Sequence, residues 1–331
     1  MIAGEALAAW LADPGAHRRS YAGVEDVARR WSRHPLMTGT ERALAQLERR
    51  SPEAVLAVAR AFMDRTEDID ALMAELLASS AGDPFFRPPF QPMSSDIHNA
   101  FLLYHHPDLS IALGATGVDM LAAKKAGPRG ATSIGFTGVT TLFRYLRSGG
   151  ATVSFWEAPP ITAAFDASQA GHARLVDRRR IEDGEEIVID GRHQSFIIDH
   201  ATSDMIFFQA LVRVDAAPVA VEYDSKTLSF IGASSTDETS SRVQMMVSVL
   251  RTMDREDAAP LIVEALDSPH FYTRWHIMRE LLALDAGAAL PQLRRMAAED
   301  PHPEIRAAAA QTLDLFFADE QAAAGEVPCR A

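Results

Sequence analysis

Ile181–His200 reads IEDGEEIVIDGRHQSFIIDH. Two Asp-Gly pairs, Asp183-Gly184 and Asp190-Gly191, punctuate it. Asp-Gly suits the tight turn between antiparallel strands, because both central positions take left-handed backbone. Glu185–Asp190 and His193–Asp199, the runs after the two pairs, are rich in β-branched and aromatic residues, so the stretch reads strand, turn, strand. The same texture extends outward through Ala151–Glu157, Ala173–Ile181, Met205–Arg213, Pro218–Tyr223 and Thr227–Ile231, seven short runs in all. No helix-length crossover separates them, which predicts an antiparallel sandwich or small barrel and excludes a parallel sheet. Just upstream, Leu142, Tyr145 and Leu146 before Gly149-Gly150 have the spacing of a short helix with a glycine stop.

Downstream the period becomes helical and repeats. Arg242, Arg274 and Arg306 are 32 residues apart (274−242 and 306−274), Leu250 and Leu282 keep the same step, and Pro260 and Pro291 nearly do. Asp267-Ser268-Pro269 and Asp300-Pro301 mark the turns between units. A helix pair of this size cannot bury its own apolar face, so stacking follows, with Leu250, Leu282 and Leu313 in one core. Upstream, Ser51-Pro52-Glu53 starts a helix with Val55, Leu56, Ala59, Phe62 and Met63 on one face. Thr66 starts a second, with Ile69, Leu72, Met73, Leu76 and Leu77. The chain therefore divides into a helical N-terminal region (1–82), a Pro/Phe-rich linker (83–94), a β domain (95–235), helical repeats (236–318) and a disordered tail (319–331).

The 331 residues are 47% hydrophobic and 23% charged, a globular balance, with a net charge of −13. Such a surface repels phosphate backbones, so nucleic acid is not an expected partner. Arg178-Arg179-Arg180 and Lys124-Lys125 are short basic clusters and read as solvated element ends. The single cysteine, Cys329, permits neither an intrachain disulfide nor a thiolate metal site and fits a reducing, cytoplasmic setting. Glu5 and Asp13 bracket the first apolar stretch, which reads as a helix rather than a signal peptide. No run approaches the ~20 apolar residues that span a bilayer, so no membrane association is expected.

Pro303-Glu304-Ile305-Arg306-Ala307-Ala308-Ala309, with its period, resembles the short HEAT-like repeats, which implies an interaction surface and no catalysis of its own. Ile181–His193 is similar to the second motif of the cupin superfamily, in which a glycine starts a strand and a histidine follows a turn. The fold class expected is α+β: an N-terminal helical region, a cupin-like β barrel or sandwich over 95–235, and a C-terminal α-helical HEAT-like stack. Two departures stand out. Asp190 replaces the usual proline, and the first motif's histidine pair falls, counting from Gly150, on Trp156 and Ala158, which cannot ligate.

Six histidines invite a metal reading: His98, His105 and His106 before the strands, and His172, His193 and His200 among them. Yet His193 and His200 are an odd number of residues apart and face opposite sides of a regular strand, unless a bulge near Asp199 repairs the parity. No metal ligand is assigned, and less than about one equivalent of transition metal is expected in the purified protein. Alternation instead nominates a pocket. Phe196, Ile198 and His200 share a face, as do Phe207 and Gln209, and Glu222 interrupts another apolar face. Polar groups inside a small barrel are costly unless paired or bound to a ligand. Trp156, beside Glu157 at a strand end, offers a stacking platform or simply packs. The candidate ligand-binding residues are Trp156, His193, Phe196, Ile198, His200, Phe207, Gln209 and Glu222.

The leading expectation is a small-molecule-binding or regulatory protein with no predicted cofactor, whose repeats engage a protein partner or form a homodimer. Phe85, Phe86 and Phe90 contribute to the sticky surface behind the homodimer. Two rival classes stand beside it. One is a metal-dependent cupin-type enzyme, an oxygenase or isomerase using iron, zinc or manganese at His193 or His200. The other is a purely structural adaptor whose barrel is filled with side chains.

Overall fold

The computed structural model describes residues 4–126, 133–162 and 165–317. Cys329 and the tail expected to be disordered lie outside them. The chain forms two compact units. The first holds the residues up to Ala158, together with 173–216 and 223–229; the second holds 159–172, 217–222 and the residues from Phe230 on.

The first unit begins with helices α1 (Gly4–Ala12), α2 (Pro14–Ser32), α3 (Pro35–Ala45), α4 (Pro52–Met63) and α5 (Thr66–Gly82). Three of them start alike. Asp13, His34 and Ser51 each accept a backbone amide from the first turn, and proline follows at once. That satisfies an orphan donor and presets the helical φ. α4 buries Val55, Leu56, Ala59, Phe62 and Met63, and α5 buries Ile69, Leu72 and Leu76. Leu77, expected on that face, is 72% exposed.

The strands are β1 (Gln91–Ser94), β2 (His98–His106), β3 (Leu109–Thr116), β4 (Ser133–Phe136), β5 (Thr140–Arg147), β6 (Thr152–Glu157), β7 (Arg174–Arg180), β8 (Glu186–Asp190), β9 (Gln194–His200) and β10 (Met205–Val212), with α6 (Val118–Ala126) after β3. A six-stranded antiparallel sheet runs β1-β2-β3-β10-β5-β8, and a smaller one runs β7-β6-β9. The large sheet ends at β1 and β8 and does not close on itself, so the sandwich is realised and the barrel is not.

Both faces of the large sheet are covered. Leu109, Ile111, Leu142, Phe208, Ala210 and Val212 form one core with Val55, Phe62 and Leu72 of the helices. Tyr145, Met205, Phe207, Ile187 and Ile189 form another with Val153 and Ile198 of the small sheet and Leu121 of α6. Two-sided burial accounts for two departures from expectation. Residues 142–146 form a strand, not a helix. Leu142 and Tyr145 are an odd step apart and point to opposite faces, and because each face is apolar the result imitates helical spacing. His98, His105 and His106 lie in β2 rather than ahead of the strands.

Residues 83–94, expected as a linker, contribute β1, and their phenylalanines are consumed internally. Phe86 and Phe90 pack into the helical core, and Phe85 stacks on Trp10 with ring centroids 4.8 Å apart. Phe86 is buried, while Phe85 and Phe90 stay half-buried. The arginines of β7 lie on an exposed strand and are paired: Arg178 with Asp199 at 2.9 Å, Arg179 with Glu185 at 2.6 Å. Charges of this kind protect a sheet edge.

The remaining strands are β11 (Val219–Asp224) and β12 (Phe230–Ser235), hydrogen-bonded neighbours. β12 starts later than Thr227, because the Asp224 carboxylate takes the Lys226 and Thr227 amides at 2.9 and 2.7 Å and holds them in a turn. Asp237 then caps α7 (Glu238–Thr252), which is followed by α8 (Ala259–Ala265), α9 (Phe271–Leu284), α10 (Ala286–Glu299) and α11 (Pro303–Phe316). One core runs through the stack. Leu313 is buried in it, and Leu250 and Leu282 pack at its edge. Leu281 is fully buried. Leu281→Ala is expected to cost about 2–5 kcal/mol and Leu282→Ala clearly less. Denaturant titration of the two variants checks the order, and equal losses would misplace the core.

The 32-residue spacing has a physical cause. Arg274 Nη1 donates to the carbonyls of Ser268 and Pro269 at 3.0 and 3.1 Å, in the turn before its own helix. Arg306 Nη1 does the same to Asp300 O at 2.5 Å. Arg242, in the first helix of the stack, has only an exposed pair with Glu238.

Candidate functional site

Between the two sheets of the first unit lies a cavity of about 710 Å³. Phe143 and Tyr145 of β5, Phe196 and Ile198 of β9, and Phe207 and Gln209 of β10 line it. His98 and Ala100 of β2, the turn from Ser95 to Ile97, and Leu121, Lys124 and Lys125 of α6 add to the wall, with Met93, Ser94, Ser133 and Ile197. Its floor is an aromatic cluster. Phe143 meets Phe196 edge-on at 5.0 Å, and Phe207 lies 5.7 Å from Phe143, 5.8 Å from Tyr145 and 6.0 Å from His98. Edge-to-face and tilted contacts of this kind hold rings in defined orientations. Phe207 pairs across the sheet with Gly114, and a side-chain carbon at Gly114 would stand 3.0 Å from its ring. The glycine gives that ring room to lie over β3.

The wall also carries polar and charged groups, among them His98, Tyr145, Lys124 and Lys125. His98 shares a 2.6 Å hydrogen bond between Nδ1 and Thr116 Oγ1. Burial, then the Lys124 charge, pushes its pKa down and favours the neutral ring. Burial raises the Tyr145 phenol well above its ordinary value, with Glu185 adding to the effect. Lys124 lies 3.6 Å from Asp96. Burial lowers the Lys125 pKa; Asp199 opposes the shift and Arg178 adds to it.

Half of the residues nominated from sequence meet here: Phe196, Ile198, Phe207 and Gln209. The other half do not. His193 sits in the turn before β9, 3.5 Å from Asp190, which also holds Arg192. His200 is exposed at the end of β9. Between Ile198 and His200 the partner strand steps only from Val153 to Thr152, which leaves Asp199 as the extra residue of a bulge. The bulge does occur where it could have repaired the parity, but it brings neither histidine to the cavity. Trp156 lies on β6 with its indole N–H buried and without a hydrogen-bond partner. Glu222 belongs to β11 and the second unit.

The cupin resemblance implies a metal, and the donor set does not fit one. Trp156 and Ala158 stand where the first histidines belong, and His193 faces Asp190 on the rim. Among the described residues no group of three or more His, Cys, Asp or Glu side chains is placed to hold a metal ion. His98, Tyr145, Phe143 and Lys125 were not anticipated. Phe143 and Tyr145 did carry a signal, two aromatics at a strand's i, i+2 step.

Residues 233–314 match the family of HEAT repeats. No curated protein matches the chain by sequence. Among solved structures it is similar to an HTH_3 family transcriptional regulator from Vibrio cholerae (12% identity, TM-score 0.23), covering 41% of this chain and 62% of that one. It is also similar to KdgF from Halomonas sp. (10%, TM-score 0.23; 37% and 88%). A third is Lactobacillus farciminis oxalate decarboxylase in a formate complex (11%, TM-score 0.23; 42% and 34%). The chain thus spans less than two thirds of the regulator's length, and likenesses of this size assign no function. No helix among the described residues is long and apolar enough to cross a membrane. What the chain combines is a HEAT-type helical stack and an aromatic-lined cavity between two antiparallel sheets.

Proposed function

We propose that this chain is a cytoplasmic small-molecule-binding protein, with a cupin-like β domain as the receptor and the HEAT-like stack as its protein-contacting part. The cavity carries this reading. It has the size of a ligand site, with an aromatic floor on one side and polar and charged groups on the other. Gln209 lines it, and its amide has no side-chain partner among the described residues. Gln209 is half-buried, so its amide is open to a polar group on a bound ligand. The metal-enzyme reading would need converging donors, which do not occur among the described residues, and the open cavity is space the adaptor reading would fill with side chains.

N-Phenyl-1-naphthylamine, an uncharged dye that brightens in apolar surroundings, tests the proposal. Saturable fluorescence enhancement is expected with the wild type and its loss in Ala100→Trp, which fills the cavity from β2. No enhancement, or equal enhancement in the variant, would refute the receptor. Metal analysis of the same preparation is expected to find less than about one equivalent of iron, zinc or manganese. A full equivalent lost in His193→Ala or His200→Ala would reinstate the enzyme.

A further inference from the structure

The charges around the cavity are unevenly matched. Lys124 and Asp96 offset one another at 3.6 Å. Lys125, half-buried on the wall, has no ion pair or hydrogen bond among the described residues. Asp199, whose charge acts on it, is already engaged by Arg178 at 2.9 Å and by the Ser154 hydroxyl at 2.6 Å. His98 is bound to Thr116 through Nδ1. The site therefore offers one unanswered ammonium and one free amide, Gln209, beside an aromatic floor. Lys125 is half-buried and lacks an ion pair among the described residues, so an anion arriving there gains a charge-assisted hydrogen bond beside an apolar wall. The net charge of −13 disfavours anions at long range, so any preference for one must arise locally.

Resting on the receptor reading above, we infer that the ligand is an amphipathic monocarboxylate, its flat apolar body on Phe143, Phe196 and Phe207 and its carboxylate at Lys125. One free cation matches one negative charge; a dianion would leave the second unmatched.

Displacement of N-phenyl-1-naphthylamine by 2-naphthoic acid, 2-naphthamide and 2-naphthyl phosphate tests this. The acid and the amide share shape and differ in charge. A charge-assisted hydrogen bond is worth about tenfold in affinity, so the acid is expected to displace the dye at about one tenth of the amide concentration, with the phosphate weaker than the acid. Lys125→Met is expected to bring acid and amide together in potency, read against the variant's own dye affinity, and Lys125→Arg to keep the acid's advantage. Equal potency of acid and amide in the wild type, a preference that survives in Lys125→Met, or a stronger phosphate would overturn the inference while leaving the receptor standing. Failure of the dye itself to bind removes both, and is told apart by that first titration.

Discussion

Asp300→Ala is expected to destabilise the helical stack by about 3–5 kcal/mol. Asp300 and Arg274 side chains are 4% and 10% exposed. They meet in a two-pronged pair, Nε to Oδ2 at 2.8 Å and Nη2 to Oδ1 at 2.7 Å. Asp300 also accepts the His302 amide at 2.8 Å at the start of α11, so one carboxylate joins two repeats and orders a turn. Removing it strands a buried guanidinium. For a unit of about one hundred residues that loss corresponds to a fall of more than about 10 °C in its melting transition. Replacing both partners by apolar residues, Arg274→Met with Asp300→Leu, should recover much of the loss, because the penalty lies in the unpaired charge. Calorimetry of the single and double variants measures this, and a single variant that melts like the wild type contradicts the pairing. The pair also carries a pH signature. Burial alone would raise the Asp300 carboxyl, but the Arg274 hydrogen bonds, the His302 amide and the Arg274 charge outweigh it and hold the pKa below the ordinary value. A depressed carboxylate stabilises fully above its unfolded pKa, about 3.9, and loses that contribution as pH falls through the lower folded value. Acid unfolding of the stack below about pH 4 should therefore be blunted in the double variant.

Phe207→Ala and Phe208→Ala should behave as different mutations although the residues are neighbours. Phe208 is 2% exposed and packs on the helical face of the large sheet. Its truncation leaves a void in a closed core and is expected to cost about 3–5 kcal/mol without altering the cavity. Phe207 faces the cavity, where space already exists beside it, so its truncation costs less stability and enlarges the site. Dye affinity should change in Phe207→Ala and hold in Phe208→Ala, whereas the urea midpoint should fall further in Phe208→Ala. The reverse pattern would mean that the faces of β10 are misassigned.

These neighbours also show what a sequence can and cannot disclose. MIFFQALV, Met205–Val212, is legible as a strand, but its continuous apolarity belongs to a strand buried on both sides. Once a sheet is covered twice, alternation no longer separates its faces, and Leu142 with Tyr145 passes for a helix. The stack was legible because Arg274 and Arg306 repeat one job, the capping of turn carbonyls, at a fixed interval. Phe196, Ile198, Phe207 and Gln209 were found because β9 and β10 alternate around the cavity. Lys125 and His98 were not, because they come from a helix and a strand far upstream, brought to the cavity by tertiary packing that no local pattern encodes. His193 drew attention through the motif after the Asp190-Gly191 turn and His200 through its alternation with Phe196 and Ile198, but neither lines the cavity.

The most direct measurement of the central claim is a crystal structure grown with N-phenyl-1-naphthylamine. The ligand is predicted to lie between Phe143, Phe196 and Phe207, within reach of Gln209. An empty cavity with the dye elsewhere on the chain, or side chains collapsed into that space, would contradict it.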